Sequence, residues 1–348
     1  MHMKQNPFRC TLVAILLAFG AFVAVLPAQG AAPKSLPLKG GENILFVGNS
    51  LTASLSTTLN DVFKANDLPT FNGHHVQIWN QTFETHCTIS RATHPTLYHE
   101  PGKAPIKNIK VKGANSLLGK GQYDKPEYME AGWVMTLEVI RKGTPEGKPW
   151  DYVILQGYDA GKANNKISVG SDGKPVFEGP FMVYGAQLIE ESKKVGAVPI
   201  LYMAWLLNPE AGGGNEDPNS YYNQNFDRLI ANYKSLAKAY GIPLVPVGHA
   251  MRALSKERKP EEARTAWLMS DVIHGNACGA ALLHYCLASV LSGKPATEIK
   301  YERKSTTNRD LRHYVVGEKE NKYELLITPK IDMVVRQAAQ DFLKEYGF

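Results

Sequence analysis

The chain has 348 residues, 44% of them hydrophobic, which is enough to bury one large core. Its formal net charge of +6 is a mild excess for this length, and no nucleic-acid-binding motif accompanies it. We therefore expect no nucleic acid among its partners.

The first 30 residues have the pattern of a signal peptide. Lys4 and Arg9 form a basic region, an apolar region runs from Thr11 to Leu26, and Ala28-Gln29-Gly30 supplies the small residues of a cleavage site. A retained membrane anchor is the alternative, whereas a lipoprotein signal is disfavoured because Cys10 precedes the apolar region. No later run approaches the roughly 20 apolar residues that a membrane span needs. We expect a periplasmic or secreted protein with no stable membrane insertion after cleavage.

Three cysteines lie beyond this leader: Cys87, Cys278 and Cys286. The last two share one predicted helix, where their positions place the Cα atoms roughly 12 Å apart, too far for a disulfide. Two alternatives remain, a disulfide from Cys87 to one of the others or buried thiols that pack as small apolar side chains. The cysteine spacing does not suit zinc, and we expect neither a metal ion nor a cofactor.

Apolar strands alternate with amphipathic helices from residue 42 to residue 295, after a linker at residues 31–41. Helices are predicted after the first strand, near Val183 to Val195, and from Tyr222 to Ala237. The alternation indicates an α/β domain with a parallel sheet covered on both faces. The five predicted strands are Ile44–Val47, Val76–Trp79, Tyr152–Leu155, Pro199–Met203 and Pro243–Val247.

Two stretches interrupt this alternation. An insertion at about residues 83–150 contains a predicted helix near Tyr128 to Ile140 and a lysine-rich loop, and it reads either as a substrate lid or as a solvated loop. A C-terminal extension, residues 296–348, contains a predicted strand at Tyr323–Ile327 and a helix that begins at Thr328-Pro329. We expect this helix to pack on the core through Ile331, Val334, Val335, Ala338 and Phe342.

Two short segments carry residues suited to nucleophilic catalysis. Ser50 follows the first predicted strand, and Asp271 and His274 precede a helix that begins near Asn276. A serine hydroxyl becomes a nucleophile when a histidine removes its proton and a carboxylate orients that histidine. Each residue also has a simpler reading as a helix cap or surface residue, so the combination is what favours catalysis.

At these positions the chain resembles the SGNH (GDSL-type) hydrolase superfamily. Gly48-Asn49-Ser50-Leu51-Thr52 is similar to its first block, and Ser270-Asp271-Val272-Ile273-His274-Gly275-Asn276, followed by Gly279, to its last. The resemblance implies that Ser50 is the nucleophile and that Asp271 and His274 complete the triad. It also implies a flavodoxin-like three-layer α/β/α sandwich around a five-stranded parallel sheet.

The middle blocks of the superfamily fit less well. The residues from Asn80 to Ser90 contain no glycine, so the backbone donor that the second block supplies has no counterpart. The third block, usually Gly-x-Asn-Asp, reads Gln156-Gly157-Tyr158-Asp159. An ionised Asp159 cannot donate a hydrogen bond, which makes Gln156 the better oxyanion donor, with Gly157 and Asp159 in the same oxyanion or substrate-binding segment. The Gln-Gly pair also resembles the sialate acetylesterase-type branch.

Together these features predict an exported serine esterase that hydrolyses acyl esters, acetyl esters foremost. A carbohydrate or cell-envelope glycan as carrier rests on export and on the resemblance alone. The alternatives are a lipase or thioesterase of the same fold, or a catalytically inactive glycan-binding protein. A flavodoxin-like cofactor protein would need a phosphate-binding loop, which the sequence does not show.

Overall fold

The computed structural model describes residues 35–52, 55–78, 82–88, 116–118, 135–157, 159–205, 221–256, 277–304, 313–316 and 324–348. Of the predicted segments, the leader and most of the insertion lie outside these ranges.

A central sheet of six strands has the order β3-β2-β1-β4-β7-β8. All neighbours pair in parallel except β3, which pairs antiparallel with β2 at the edge. The five-stranded parallel sheet predicted from the apolar runs is confirmed. The strands are β1 (Asn43–Gly48), β2 (Asn72–Gln77), β3 (Ser116–Leu118), β4 (Tyr152–Leu155), β7 (Val198–Tyr202) and β8 (Leu244–Val245).

Helices cover the sheet in two groups, which completes the three layers. One group contains α1, α6, α7 and α8, and the other contains α2 to α5. The helices are α1 (Leu55–Ala65), α2 (Phe83–Thr88), α3 (Thr136–Lys142), α4 (Pro180–Lys194), α5 (Tyr221–Tyr240), α6 (Val247–Lys256), α7 (Ala277–Ser292) and α8 (Pro329–Glu345).

The second strand differs from its prediction, which placed it at Val76–Trp79. It begins at Asn72 and ends at Gln77, because buried histidines occupy positions that an apolar pattern would give to aliphatic residues. His74 packs edge-on against the Trp150 ring, with 5.2 Å between ring centroids. His75 Nδ1 lies 2.9 Å from the Ser56 hydroxyl of α1. Polar residues with such partners can fill a buried strand.

Two smaller sheets were not fully predicted. A hairpin of β5 (Lys166–Val169) and β6 (Pro175–Glu178) lies between β4 and α4. A three-stranded sheet joins β9 (Glu302–Lys304), β10 (His313–Val316) and β11 (Glu324–Ile327). The last of these strands confirms the strand predicted at Tyr323–Ile327, apart from Tyr323, which lies outside the described residues.

The C-terminal helix packs on the core, and Thr328 Oγ1 accepts the N–H of Ile331 as its N-cap. Its buried apolar face consists of Val335, Ala339 and Leu343. Val334 was predicted to face the core but is exposed, because the buried stripe runs through Asp332, Val335, Ala339 and Leu343, at spacings of three and four residues that leave Val334 on the outer side. The predicted members Ile331, Ala338 and Phe342 are partly buried beside that stripe.

Residues 35–41, part of the predicted linker, pack against the end of α7. Leu36 N–H donates to the Val290 carbonyl at 2.9 Å and Leu38 N–H to the Leu291 carbonyl at 2.8 Å, and both leucine side chains are buried. Leu36 and Leu38, which the sequence analysis places in the linker, therefore already pack on the domain.

The three cysteines that the structure describes, Cys87, Cys278 and Cys286, are thiols, and Cys87 and Cys286 are buried, as one of the two alternatives predicted. Burial raises the pKa of the Cys87 thiol to about 12. Among the described helices, none combines the length and apolar character needed to cross a membrane.

Candidate active site

The turn that carries Ser50 follows the central strand β1 at its carboxyl end. The backbone of Ser50 opens a 3-10 turn, Ser50–Thr52, and α1 begins at Leu55. Asn49 stabilises this turn: its Oδ1 accepts the Leu51 N–H at 3.0 Å, and its carbonyl accepts the Thr52 N–H at 3.0 Å and the Thr52 hydroxyl at 2.8 Å. Because ligands bind at the carboxyl ends of parallel strands, this location suits a nucleophile.

The peptide group between Gly48 and Asn49 is held at both of its polar atoms. Its N–H donates to Gln156 Oε1 at 3.1 Å. Its carbonyl oxygen accepts the Ile78 N–H at 3.0 Å and a bond from His86 Nε2 at 3.2 Å. Residues from three other parts of the chain thus fix the Gly48–Asn49 peptide plane, which is separated from Ser50 by the Asn49–Ser50 peptide.

Gln156 is bonded to the turn that carries Ser50 through Asn49, and the residue is 1% exposed. Its Oε1 is engaged by Asn49, whereas its Nε2 is buried and has no hydrogen-bond partner in the described part of the chain. Asn49 Nδ2 is also buried and has no hydrogen-bond partner among the described residues. Such donors carry a desolvation cost of about 1–3 kcal/mol each unless a ligand accepts from them.

Gly48 creates the space that Gln156 occupies. A Cβ at this position would lie 2.6 Å from Gln156 Oε1 and 2.7 Å from the Thr52 methyl group. In the sheet, Gly48 pairs with Gln77 on its other side. Gln77 is also buried, and neither its Oε1 nor its Nε2 has a partner among the described residues. The carboxyl edge of three adjacent strands therefore presents buried carboxamide nitrogens of Asn49, Gln77 and Gln156 that have no hydrogen-bond partner among the described residues.

Gly157 has a packing role in the structure. Its N–H donates to the Tyr233 hydroxyl oxygen at 2.9 Å, and that hydroxyl donates to the Gly157 carbonyl at 2.8 Å. A Cβ at Gly157 would collide with the rings of Phe83 and Phe181 at 2.7 and 2.8 Å. Because the backbone N–H of Gly157 is occupied, Gln156 is the donor that this predicted segment can offer.

Asp159 combines burial with an unpaired carboxylate. The residue is 4% exposed, and neither carboxylate oxygen accepts a hydrogen bond in the part of the chain that the structure describes. Burial raises the pKa of the Asp159 carboxyl to about 6, against the attraction of Lys162. Its backbone is fixed, since Asn165 Nδ2 donates to the Asp159 carbonyl at 2.8 Å. The side chain is therefore a buried acceptor that has no hydrogen-bond donor among the described residues.

Asp271 and His274, the predicted acid and base, lie outside the described residues, and so does Tyr158. The structure thus brings together the Ser50 backbone and Gln156, while the triad stays a prediction. No cluster of three or more potential metal-binding side chains occurs within the described ranges.

A surface pocket of about 500 Å³ lies elsewhere, between α5 and α6, and contains none of the predicted site residues. Its lining consists of Asp227, Ile230, Ala231, Lys234, His249, Arg252 and Ala253.

Sequence reasoning missed His86 and Gln77. His86 sits in the six-residue α2, which is too short for a periodic pattern. Gln77 could have been found from its position, since it ends a strand next to β1 and so shares the carboxyl edge with Ser50.

No family model matches the sequence, and no curated protein matches it. Among solved structures, the chain is similar to a DUF4886 family protein from Bacteroides uniformis, with a TM-score of 0.52 and 15% identity over 88% of this chain and 96% of that chain. It is also similar to the acetyl xylan esterase AlAXEase, with a TM-score of 0.41 and 13% identity over 71% of this chain and 98% of that chain. A lipase/acylhydrolase from Enterococcus faecalis gives a TM-score of 0.40 and 15% identity over 72% of this chain and 96% of that chain.

At these identities the likeness concerns the fold alone. Other solved structures to which the chain is similar are a GDSL-like lipase from Bacteroides thetaiotaomicron and a mutant of the acetylxylan esterase Axe2 from Geobacillus stearothermophilus, each with a TM-score of 0.37 and 15% identity. The narrower resemblance to the sialate acetylesterase-type branch stays a prediction.

Proposed function

We propose that the protein is a serine esterase that removes acyl groups, acetyl groups foremost, from a carbohydrate or cell-envelope glycan outside the cytoplasm. The observation that carries this proposal is the buried Nε2 of Gln156, an unused donor whose own amide oxygen binds the residue before Ser50. An unused donor beside a candidate nucleophile is what an oxyanion-binding site requires.

In this mechanism Ser50 Oγ attacks the ester carbonyl carbon while His274 accepts the hydroxyl proton and Asp271 orients the imidazole. The carbonyl oxygen becomes an oxyanion, which accepts hydrogen bonds from Gln156 Nε2 and from the backbone N–H of Ser50. Collapse of this intermediate breaks the ester bond, and His274 returns the proton to the departing alcohol. Water then attacks the acyl-enzyme by the same route and releases the carboxylic acid.

Asp159 supports a substrate with hydroxyl groups. Its unpaired carboxylate oxygens follow Gln156 on the same segment and are nearly excluded from water. A sugar hydroxyl that donates to this carboxylate would satisfy a buried acceptor, which gives the proposed glycan a physical reason to bind.

The test is ester hydrolysis by the protein without residues 1–30, with short-chain aryl acetates and acetylated polysaccharides as substrates. Ser50→Ala and His274→Ala should each lower turnover by several orders of magnitude, and the double variant should be no worse than either, because the residues act as a unit. Ser192→Ala is a matched control, since Ser192 is a buried serine of α4 that donates to the Leu188 carbonyl. Near-wild-type turnover in Ser50→Ala would refute the assignment.

Two further measurements separate the alternatives. A lipase or thioesterase would prefer long acyl chains or thioesters over acetyl esters in a chain-length series. An inactive glycan-binding protein would retain binding to polysaccharide while Ser50 fails to react with a fluorophosphonate probe.

A further inference from the structure

His86 contacts the catalytic turn from the insertion, and nothing in the proposed mechanism uses it. Its Nε2 lies 3.2 Å from the Gly48 carbonyl oxygen and its Nδ1 lies 2.6 Å from the Thr136 hydroxyl. His86 belongs to α2 and Thr136 to α3, so one imidazole joins both described helices of the insertion to the strand end that precedes Ser50.

The hydrogen bonds define the state of this histidine. A carbonyl oxygen only accepts, so Nε2 carries the proton and donates it to Gly48, while Nδ1 accepts from the Thr136 hydroxyl. The residue is fully buried, and burial lowers the pKa of His86 to about 4, although the bond to Gly48 acts in the opposite direction. At neutral pH the imidazole is therefore a neutral bridge with one defined tautomer.

We propose that His86 is a positioning residue that sets the orientation of the Gly48–Asn49 peptide group and thereby of Ser50. The inference rests on the proposed function, because it assigns His86 an effect on the reactivity of that serine. Gln156 accepts the N–H of the same peptide group, so His86 and Gln156 bind to its two opposite edges. With His86 removed, the Ile78 N–H still binds the carbonyl, so the strand persists while the peptide group loses one restraint.

Two substitutions with side chains of different length can distinguish a positioning role of His86 from a role in packing alone. In His86→Gln the side-chain amide nitrogen takes the place of Nε2 and can still donate to the Gly48 carbonyl. In His86→Asn the shorter amide takes the place of Nδ1 and reaches Thr136 but not Gly48. Both variants lose the imidazole ring, so both should lower the melting temperature to a similar extent.

The measurements are kcat and KM for an aryl acetate, the rate of fluorophosphonate labelling of Ser50, and the melting temperature. We expect His86→Asn to lower kcat and the labelling rate about 10- to 100-fold with little change in KM, since small misplacements of a reacting group have effects of this size. His86→Gln should stay within a few-fold of wild type. His249→Asn is the control, because His249 is a partly buried histidine of α6 that bonds Tyr346 instead of the catalytic turn.

Equal activity in the two His86 variants, with losses that follow only the melting temperature, would overturn the inference. A wild-type protein that neither hydrolyses esters nor reacts with the probe would instead overturn the proposed function. The amide resonance of Asn49 in a ¹⁵N–¹H spectrum tests the positioning without catalysis: it should shift strongly in His86→Asn and weakly in His86→Gln. An Asn49 resonance that both variants leave in place would also refute the role of His86.

Discussion

Replacement of Asp159 by asparagine should stabilise the protein increasingly as the pH rises. The buried carboxyl has a pKa raised from 3.8 to about 6, so the native state holds its proton more tightly than the unfolded chain does. The free energy of unfolding that the protonated Asp159 carboxyl contributes is therefore fully present below the pKa of this group in the unfolded chain. It is lost as the pH rises through the pKa of the same group in the native state. Asparagine has the same shape and does not ionise, so Asp159→Asn escapes this loss.

The size of the effect follows from the difference between the two pKa values. A difference of about two pH units corresponds to about 3 kcal/mol, and because the side chain is almost completely buried, solvent screening removes little of it. Urea unfolding followed by tryptophan fluorescence, at about pH 4 and about pH 8, gives the free energy of unfolding for both proteins. The advantage of Asp159→Asn should grow by about 2–3 kcal/mol between these conditions.

Asp172→Asn is the matched control, because Asp172 lies exposed in the turn between β5 and β6 beside Lys174. Its substitution should change the pH dependence of unfolding far less. The opposite result is a difference in the free energy of unfolding between Asp159→Asn and wild type that is equal at both values of pH. It would show that the Asp159 carboxyl ionises as easily in the native state as in the unfolded chain, and it would refute the prediction.

Three other substitutions test the site and the core. Gln156→Ala should lower kcat by about 10²–10³-fold, while KM stays nearly unchanged and the fluorophosphonate probe still labels Ser50. An effect on KM alone would show that Gln156 does not bind the oxyanion. Gly48→Ala should destabilise the protein by about 1–3 kcal/mol, because the added methyl group overlaps Gln156 Oε1, and an unchanged urea midpoint would contradict this. Asp332→Ala should cost roughly 3 kcal/mol by thermal or urea unfolding, since it leaves Arg336 without its carboxylate in a half-buried contact; a loss under 1 kcal/mol would show that the ion pair contributes little.

The parallel sheet was predictable because most of its strands, unlike β2 with its buried histidines, are short apolar runs buried on both faces, such as Tyr152–Leu155. The edge strand Ser116–Leu118 was not, since three residues carry no usable period and its pairing with β2 depends on tertiary contact. The hairpin of β5 and β6 did leave a signal, because Gly170 and Gly173 flank its turn. Its strands are mostly exposed, so the apolar pattern that located the other strands gave no sign of them.

For the site, the sequence showed which residues follow the strands, and the oxyanion role that it predicts for Gln156 stays a prediction, although the structure bonds Gln156 to Asn49 in the Ser50 turn. It did not predict that Gln156 would use its oxygen on Asn49 and keep its nitrogen unused, since the direction of an amide depends on its neighbours in space. The sequence also did not predict the hydrogen bond of His86 to Gly48, because this bond joins a helix to the end of a distant strand through one backbone carbonyl.

The contact of residues 35–41 with α7 bears on the order in which the chain can fold. Leu36 and Leu38 bond to carbonyls at the end of α7, which lies almost a full domain later in sequence. A chain that emerges from the ribosome or through a membrane with its N-terminus first cannot form these bonds until Val290 and Leu291 have followed. Contacts of such long range slow folding, because the intervening chain must be ordered before they form. Completion of this domain is therefore a late event, and the buried leucines stay exposed to chaperones and proteases until nearly the whole chain is available.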